Sequence, residues 1–210
     1  MSLLHVVPAF AITALVLAMV PGQGVAMVLR QTIVGGASCA YRSVAGNSLG
    51  LIIWGGASAI GLSQVFAHSL LAFNILKYAG AAYLSFLAVQ TLFELRHDHE
   101  KFDHRGRAHA GPLSAFRLGL FTNLTNVKAA VFAVAFIPQF VPRTFPLLTG
   151  ILILAAVQAA VSTGWYFVLV ATIDRAAVIL ARPQVRRWLT GFSAVGLLAL
   201  AVILLFTAPR

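Results

Sequence analysis

Acidic side chains are almost missing from this chain: five in 210 residues, against fifteen lysines and arginines. Four of them, Glu94, Asp98, Glu100 and Asp103, share one polar segment, and the fifth is Asp174. No acid stands in the middle of an apolar run, so nothing there could receive a cationic side chain. Cysteine is equally scarce. The lone Cys39 excludes an internal disulfide and argues against a thiolate metal cluster; between small and apolar neighbours it reads as packing. Also missing are an acid pair, a Ser-His-Asp order placed to react, a phosphate-binding loop and an ATP-binding domain. Nothing here calls for catalysis or a cofactor, and hydrolytic energy coupling would need another subunit.

What is present is hydrocarbon. Hydrophobic residues make up 60% of the chain, charged ones 10%, and the mean hydropathy is +0.92. A soluble domain is nearer half apolar and a quarter charged, and a chain this short cannot bury so much apolar surface in one core. The formal charge of +10 does not point to nucleic acid, because no aromatic-basic stretch accompanies it. Basic loops beside membrane spans find their partner in anionic lipid at the cytoplasmic face.

Six apolar runs are long enough to cross a bilayer, each exceeding the minimum of roughly 17 residues. They are approximately Leu3 to Leu29, Tyr41 to Ala67, Leu70 to Leu95, Phe116 to Phe140, Phe145 to Ile173 and Trp188 to Phe206. The first has no lysine or arginine ahead of it and no small-residue cleavage pattern, so it is expected to stay as a span. No alternating barrel-type segments occur. The expectation is an all-α membrane protein, one six-span domain over residues 1–210, with a cytoplasmic loop at about 96–115. Arg30 and Arg42 lie in the first connection, Arg96 to Arg117 in or beside the third, and Arg175 to Arg187 in the fifth. The positive-inside rule then puts the odd connections in the cytoplasm and both termini outside.

Three spans up and three down mean that the second half enters the membrane opposite to the first, the arithmetic of a 3+3 inverted repeat. The opening span of each half carries a break. Pro21, Gly22, Gln23 and Gly24 interrupt the first: proline removes a donor, and the glycines permit unusual dihedrals. Asn123, Thr125 and Asn126 interrupt the fourth, with side chains able to bond to backbone and cap a new helix. Lys128 follows. A lone ammonium there costs about 3 kcal/mol on insertion scales, and snorkelling is hindered because both ends of the run are about ten residues away. Lys77 could instead reach the outer interface. Asn47 sits inside a Gly46-to-Gly50 small-residue face, and Gln158, Ser162, Thr163 and Trp165 give the fifth span a polar side, as interhelical hydrogen bonding would require.

Several ordered stretches resemble the LysE/RhtB family of amino-acid exporters. Pro21-Gly22-Gln23-Gly24 resembles that family's Pro-Gly-Pro motif; "LKYAGAAYLSFLAVQTL", Leu76 to Leu92, resembles its Lys-x-x-Gly-Ala-x-Tyr-Leu segment. "FRLGLFTNLTNVKAAVFAVAFIPQFV", Phe116 to Val141, is similar to its Asn-Pro-Lys region. Gln23 and Val127 stand where the family has its other prolines. The resemblance implies a proton-driven exporter of amino acids in a bacterial inner membrane, assembled as a homo-oligomer such as a dimer. On that reading Gly22 to Gly24, Asn126, Lys128 and Lys77 meet a carboxylate, while Asn123, Asn47 and Gln23 orient the rest. Lys128 and Asp174 are the candidates to carry the proton. The acid-free spans favour a neutral amino acid. Two other readings stand beside it: a divalent-metal exporter using His97, His99 and His104 of the polar loop, and a membrane subunit without transport.

Overall fold

The computed structural model describes residues 3–20, 22–68, 70–94, 111–172 and 183–206, and every element among them is helical. Helix α1 spans Leu3–Met19. The continuous helical run Gln23–His68 is two helices, because Gly36 inside it has φ 76° and ψ 170°. That left-handed conformation is open to glycine at little cost and to other residues only with strain. We therefore number α2 as residues 23–35 and α3 as 37–68. The remaining elements are α4 (Leu70–Glu94), α5 (Pro112–Leu124), α6 (Val127–Phe140), α7 (Leu147–Ala171) and α8 (Pro183–Phe206).

Gly36 reverses the chain. The Cys39 thiol donates to Gln31 Oε1 at 3.0 Å, whereas residues eight apart in a straight helix are about 12 Å apart along its axis. Contacts with α7 fix the directions. Gly24 abuts Tyr166, and Met27 and Val28 share a cluster with Leu169 and Val170, so α2 runs parallel to α7. Ser48 bonds Thr163 and Gly55 abuts Ala155, so α3 runs antiparallel to it. The sequence reading expected a connection from Leu29 to Tyr41; the helices instead continue to either side of one glycine.

Other boundaries shift for local reasons. Helix α5 begins at Pro112 rather than Phe116: proline suits a first turn, where its missing N–H is not needed. Ser114 Oγ donates to the Gly111 carbonyl at 2.7 Å and closes that turn. The last residues of the expected loop at about 96–115 are therefore helical, while 95–110 lie outside the described residues. Likewise α8 starts at Pro183, ahead of Trp188.

Helices α3 and α5 meet backbone to backbone. A Cβ on Gly46 would strike the Phe116 carbonyl, and one on Gly119 would strike the Ser43 carbonyl; small residues permit this approach where lipid supplies no hydrophobic drive. The Ser43 hydroxyl adds a 2.9 Å bond to Ala115 O. The main buried cluster joins α1, α6 and α7 through Phe10, Phe132, Phe136, Ile151 and Leu154. By length and composition, the run Gln23–Gly61, which Gly36 folds into two antiparallel arms, and Leu147–Ala171 are candidate membrane spans, and the bent pair Pro112–Leu124 with Val127–Phe140 makes a third.

Candidate functional site

Both breaks expected from the sequence are present, and they are built differently. At the first, α1 stops at Met19 and α2 starts at Gln23. Helix α2 opens with Ala26 N–H donating to Gly22 O at 2.9 Å. The carbonyl of Leu17 would ordinarily accept from the amide four residues on, but residue 21 is proline and has none to give. Lys128 supplies the missing donor: its Nζ lies 3.3 Å from Leu17 O and 3.4 Å from Val20 O. A cation suits this place, since carbonyls at a helix C-terminus carry partial negative charge. Pro21 itself lies outside the described residues.

The second break is capped by its own residues. Thr125 N–H returns to Phe121 O at 2.9 Å, and Asn126 adopts an extended conformation with φ −80° and ψ 98°. Asn126 Oδ1 then accepts from Lys128 N–H at 3.1 Å, an N-cap for α6. The two helices meet at a bend of 58°. Trp54 Nε1–H reaches in from α3 to Asn123 O at 3.3 Å. Asn123 and Asn47, both buried, join through Nδ2–H of the former and Oδ1 of the latter at 3.1 Å. Asn123 Oδ1 is buried without a hydrogen-bond partner among the described residues.

The breaks divide the surrounding structure in two. On one side α1 packs antiparallel to α6 around phenylalanines. Phe10 lies 5.9 Å from Phe132 and 5.3 Å from Phe140 between ring centroids, and Phe132 stacks on Phe136 at 4.8 Å. A π-helical turn, Phe132–Phe136, brings these rings together. Its carbonyls receive extra donors: Ser58 Oγ to Ala133 O at 2.7 Å and Gln139 Nε2 to Ala135 O at 2.6 Å. On the other side α2 and α5 run antiparallel with a cleft of about 290 Å³ between them, lined by Gln23, Met27, Arg30, Gln31, Leu118, Thr122 and Thr125.

Of the sequence-predicted residues, Gly22, Gln23, Gly24, Asn47, Asn123, Asn126 and Lys128 gather at or beside the breaks. Gly24 is buried under the Tyr166 hydroxyl, where a Cβ would clash. Lys77 is in α4, with its side chain outside the described residues, as are Asp174, His97, His99 and His104. Among the described residues no group of three or more His, Cys, Asp or Glu could hold a metal. Sequence reasoning missed Trp54 and Tyr166, and took Arg30 only as an orientation signal.

Two antiparallel interrupted helices that meet at their breaks inside an apolar bundle are an architecture of membrane transporters. The chain belongs to the LysE type translocator family, which it matches over residues 15–208. It is 37% identical over 166 residues to the homoserine/homoserine lactone efflux protein of Salmonella typhimurium, covering 75% of this chain and 77% of that protein. It is 30% identical over 141 residues to the leucine efflux protein of Salmonella choleraesuis, covering 65% and 64%. It is 27% identical over 179 residues to the uncharacterized membrane protein YrhP of Bacillus subtilis, covering 82% and 85%. No solved structure matches the chain.

Proposed function

We propose that this chain exports a small neutral amino acid or close analogue from the cytoplasm across a bacterial inner membrane, driven by the proton gradient. Six spans form a 3+3 inverted repeat with both termini outside, and the protein works as a homo-oligomer with anionic lipid at its basic face. The observation that carries the reading is the lysine bond between the breaks: Lys128, at the second, holds a carbonyl that Pro21 leaves unmet at the first. A charge at this depth is expensive, and here it joins the opening helices of the two halves.

Alternating access follows from the two sides of the breaks. With the odd connections inside, α2 and α5 form the cytoplasmic half and α1 and α6 the outer half. The conformation is then closed outward by the phenylalanines and open inward through the cleft. Substrate enters between α2 and α5 and is met at the breaks by Gly22, Gln23, Gly24, Asn47, Asn123 and Asn126. Lys128 acts as the gate, because freeing Leu17 O and Val20 O lets α1 leave α6. Proton binding at Lys128 or Asp174 couples this to the gradient, and Lys77 stands as a further candidate lining group. Homoserine and leucine, from the names of the relatives, bracket the expected substrate size.

The test is efflux of radiolabelled neutral amino acids, homoserine and leucine included, from preloaded vesicles containing the purified protein, with and without a proton gradient. Gradient-dependent efflux of some members is expected. Silence across the panel would sink the exporter reading, and efflux indifferent to the gradient would sink the coupling.

A further inference from the structure

We infer that Arg30 anchors the carboxylate of the substrate in the cleft between α2 and α5, a role that rests on the exporter reading and adds a specificity determinant to it. The argument starts from elimination. Lys128, the deep cation, already points its ammonium at the Leu17 and Val20 carbonyls. Its stem leaves from α6, and it is absent from the cleft lining. Arg30 is the only charged residue in that lining; the others are Gln23, Gln31, Thr122, Thr125 and two apolar side chains. None of the chain's five acids is among them.

The field of the backbone does not compete. Helix α2 begins at the break end of the cleft and α5 finishes there, each 13 residues long. A positive N-terminal dipole end and a negative C-terminal one lie side by side, so they largely offset. The net charge of the cleft is therefore set by Arg30. Its side chain is also aimed well, since side chains on a helix lean toward the N-terminus, here the break end. Guanidinium presents a planar fork of donors that matches a carboxylate in two parallel bonds. The ammonium of a zwitterion would face the glutamine and threonine oxygens. A volume of about 290 Å³, at the lower edge of the roughly 300–1,000 Å³ typical of drug-sized ligands, fits a small solute.

An amino acid and its lactone separate this role from the rest of transport, because lactone formation removes the anionic group and leaves the amine. Efflux of labelled L-homoserine and of L-homoserine lactone would be measured from vesicles containing wild type, Arg30→Gln or Arg30→Lys. Arg30→Gln should lower homoserine efflux about tenfold or more, the loss of a charge-assisted contact, and leave the lactone within about twofold. Arg30→Lys should recover part of the acid transport. Should Arg30→Gln not fold, phenylglyoxal on wild type gives the same readout: homoserine efflux falls, lactone efflux persists, and Arg30→Lys resists the reagent. Equal loss of both probes, or undiminished homoserine efflux in Arg30→Gln, overturns the anchor while leaving the exporter reading intact. A wild type that moves neither probe but carries leucine has the same contrast read on leucine and its methyl ester, and one that moves no member of the neutral panel removes the exporter reading, and the anchor with it.

Discussion

The two sides of the breaks use the same antiparallel helix pair for opposite ends. Between α1 and α6 the facing groups are phenylalanines, with Phe10 and Phe132 fully buried and Phe136 nearly so. Between α2 and α5 they are threonine, glutamine and arginine around open space. A rigid ring fills volume and asks for no partner. A polar side chain in an apolar surround asks for one, and the partner can be water or a solute. The difference teaches that two antiparallel helix pairs of the same kind take opposite character when one is given rings and the other hydrogen-bonding groups. The aromatic end is filled by packed rings.

Four substitutions, the first also combined with Pro21→Ala, test that contrast. Lys128→Met should have the largest effect. Charge-assisted hydrogen bonds contribute about 1.5–3 kcal/mol each, so losing both should lower efflux by about two to four orders of magnitude. Inserted yield should hold, because removing a mid-membrane charge relieves about 3 kcal/mol. Pro21→Ala in the same chain should recover stability by returning a donor to Leu17 O but not the coupled efflux, because that amide belongs to α1 and does not tie it to α6. Wild-type efflux in the single variant would mean that the two sides are not held together by this bond. Next comes Phe136→Ala, expected to cost about 3–5 kcal/mol of stability in denaturant titration and to open a leak that needs no gradient. Thr122→Ala in the cleft should shift stability by no more than about 0.5 kcal/mol and change only substrate affinity. Similar losses for the two would erase the distinction between plug and cleft. Smallest in its effect on transport is Asn126→Ala, which removes an N-cap worth about 1 kcal/mol. A thermal melt in detergent should register that loss without altering which probes are carried.

Much of this was legible before any coordinates. The two breaks, the capping role of Asn126 and the need of Lys128 for a partner follow from residue types whose cost in hydrocarbon demands one. Which partner Lys128 takes was not legible: the orphan carbonyl is implied by Pro21, but its pairing with a lysine over a hundred residues away is a matter of tertiary approach. The turn at Gly36 was hidden because Gly35-Gly36-Ala37-Ser38 also reads as a flexible connection. Trp54 and Tyr166 were hidden for a different reason. In a bilayer, apolar side chains face lipid and protein alike, so periodicity does not say which aromatic points inward. Arg30 suffered a third ambiguity, since an arginine near a span end is ordinarily an interfacial anchor.

The glycines between α3 and α5 have a mechanical consequence. With Gly46 against the Phe116 carbonyl and Gly119 against that of Ser43, neither helix can slide past the other without driving backbone into backbone. The two therefore form a single beam. Helix α2 is joined to that beam covalently at the one residue Gly36, which has open space where a Cβ would stand, and otherwise rests on it through side chains: the Cys39–Gln31 bond and the packing of Met27 and Val28 near Ala40 and Val44. A helix whose backbone is jointed at one glycine and whose other ties are side chains has its least restrained backbone at that joint, and the cleft lies along the helix it carries.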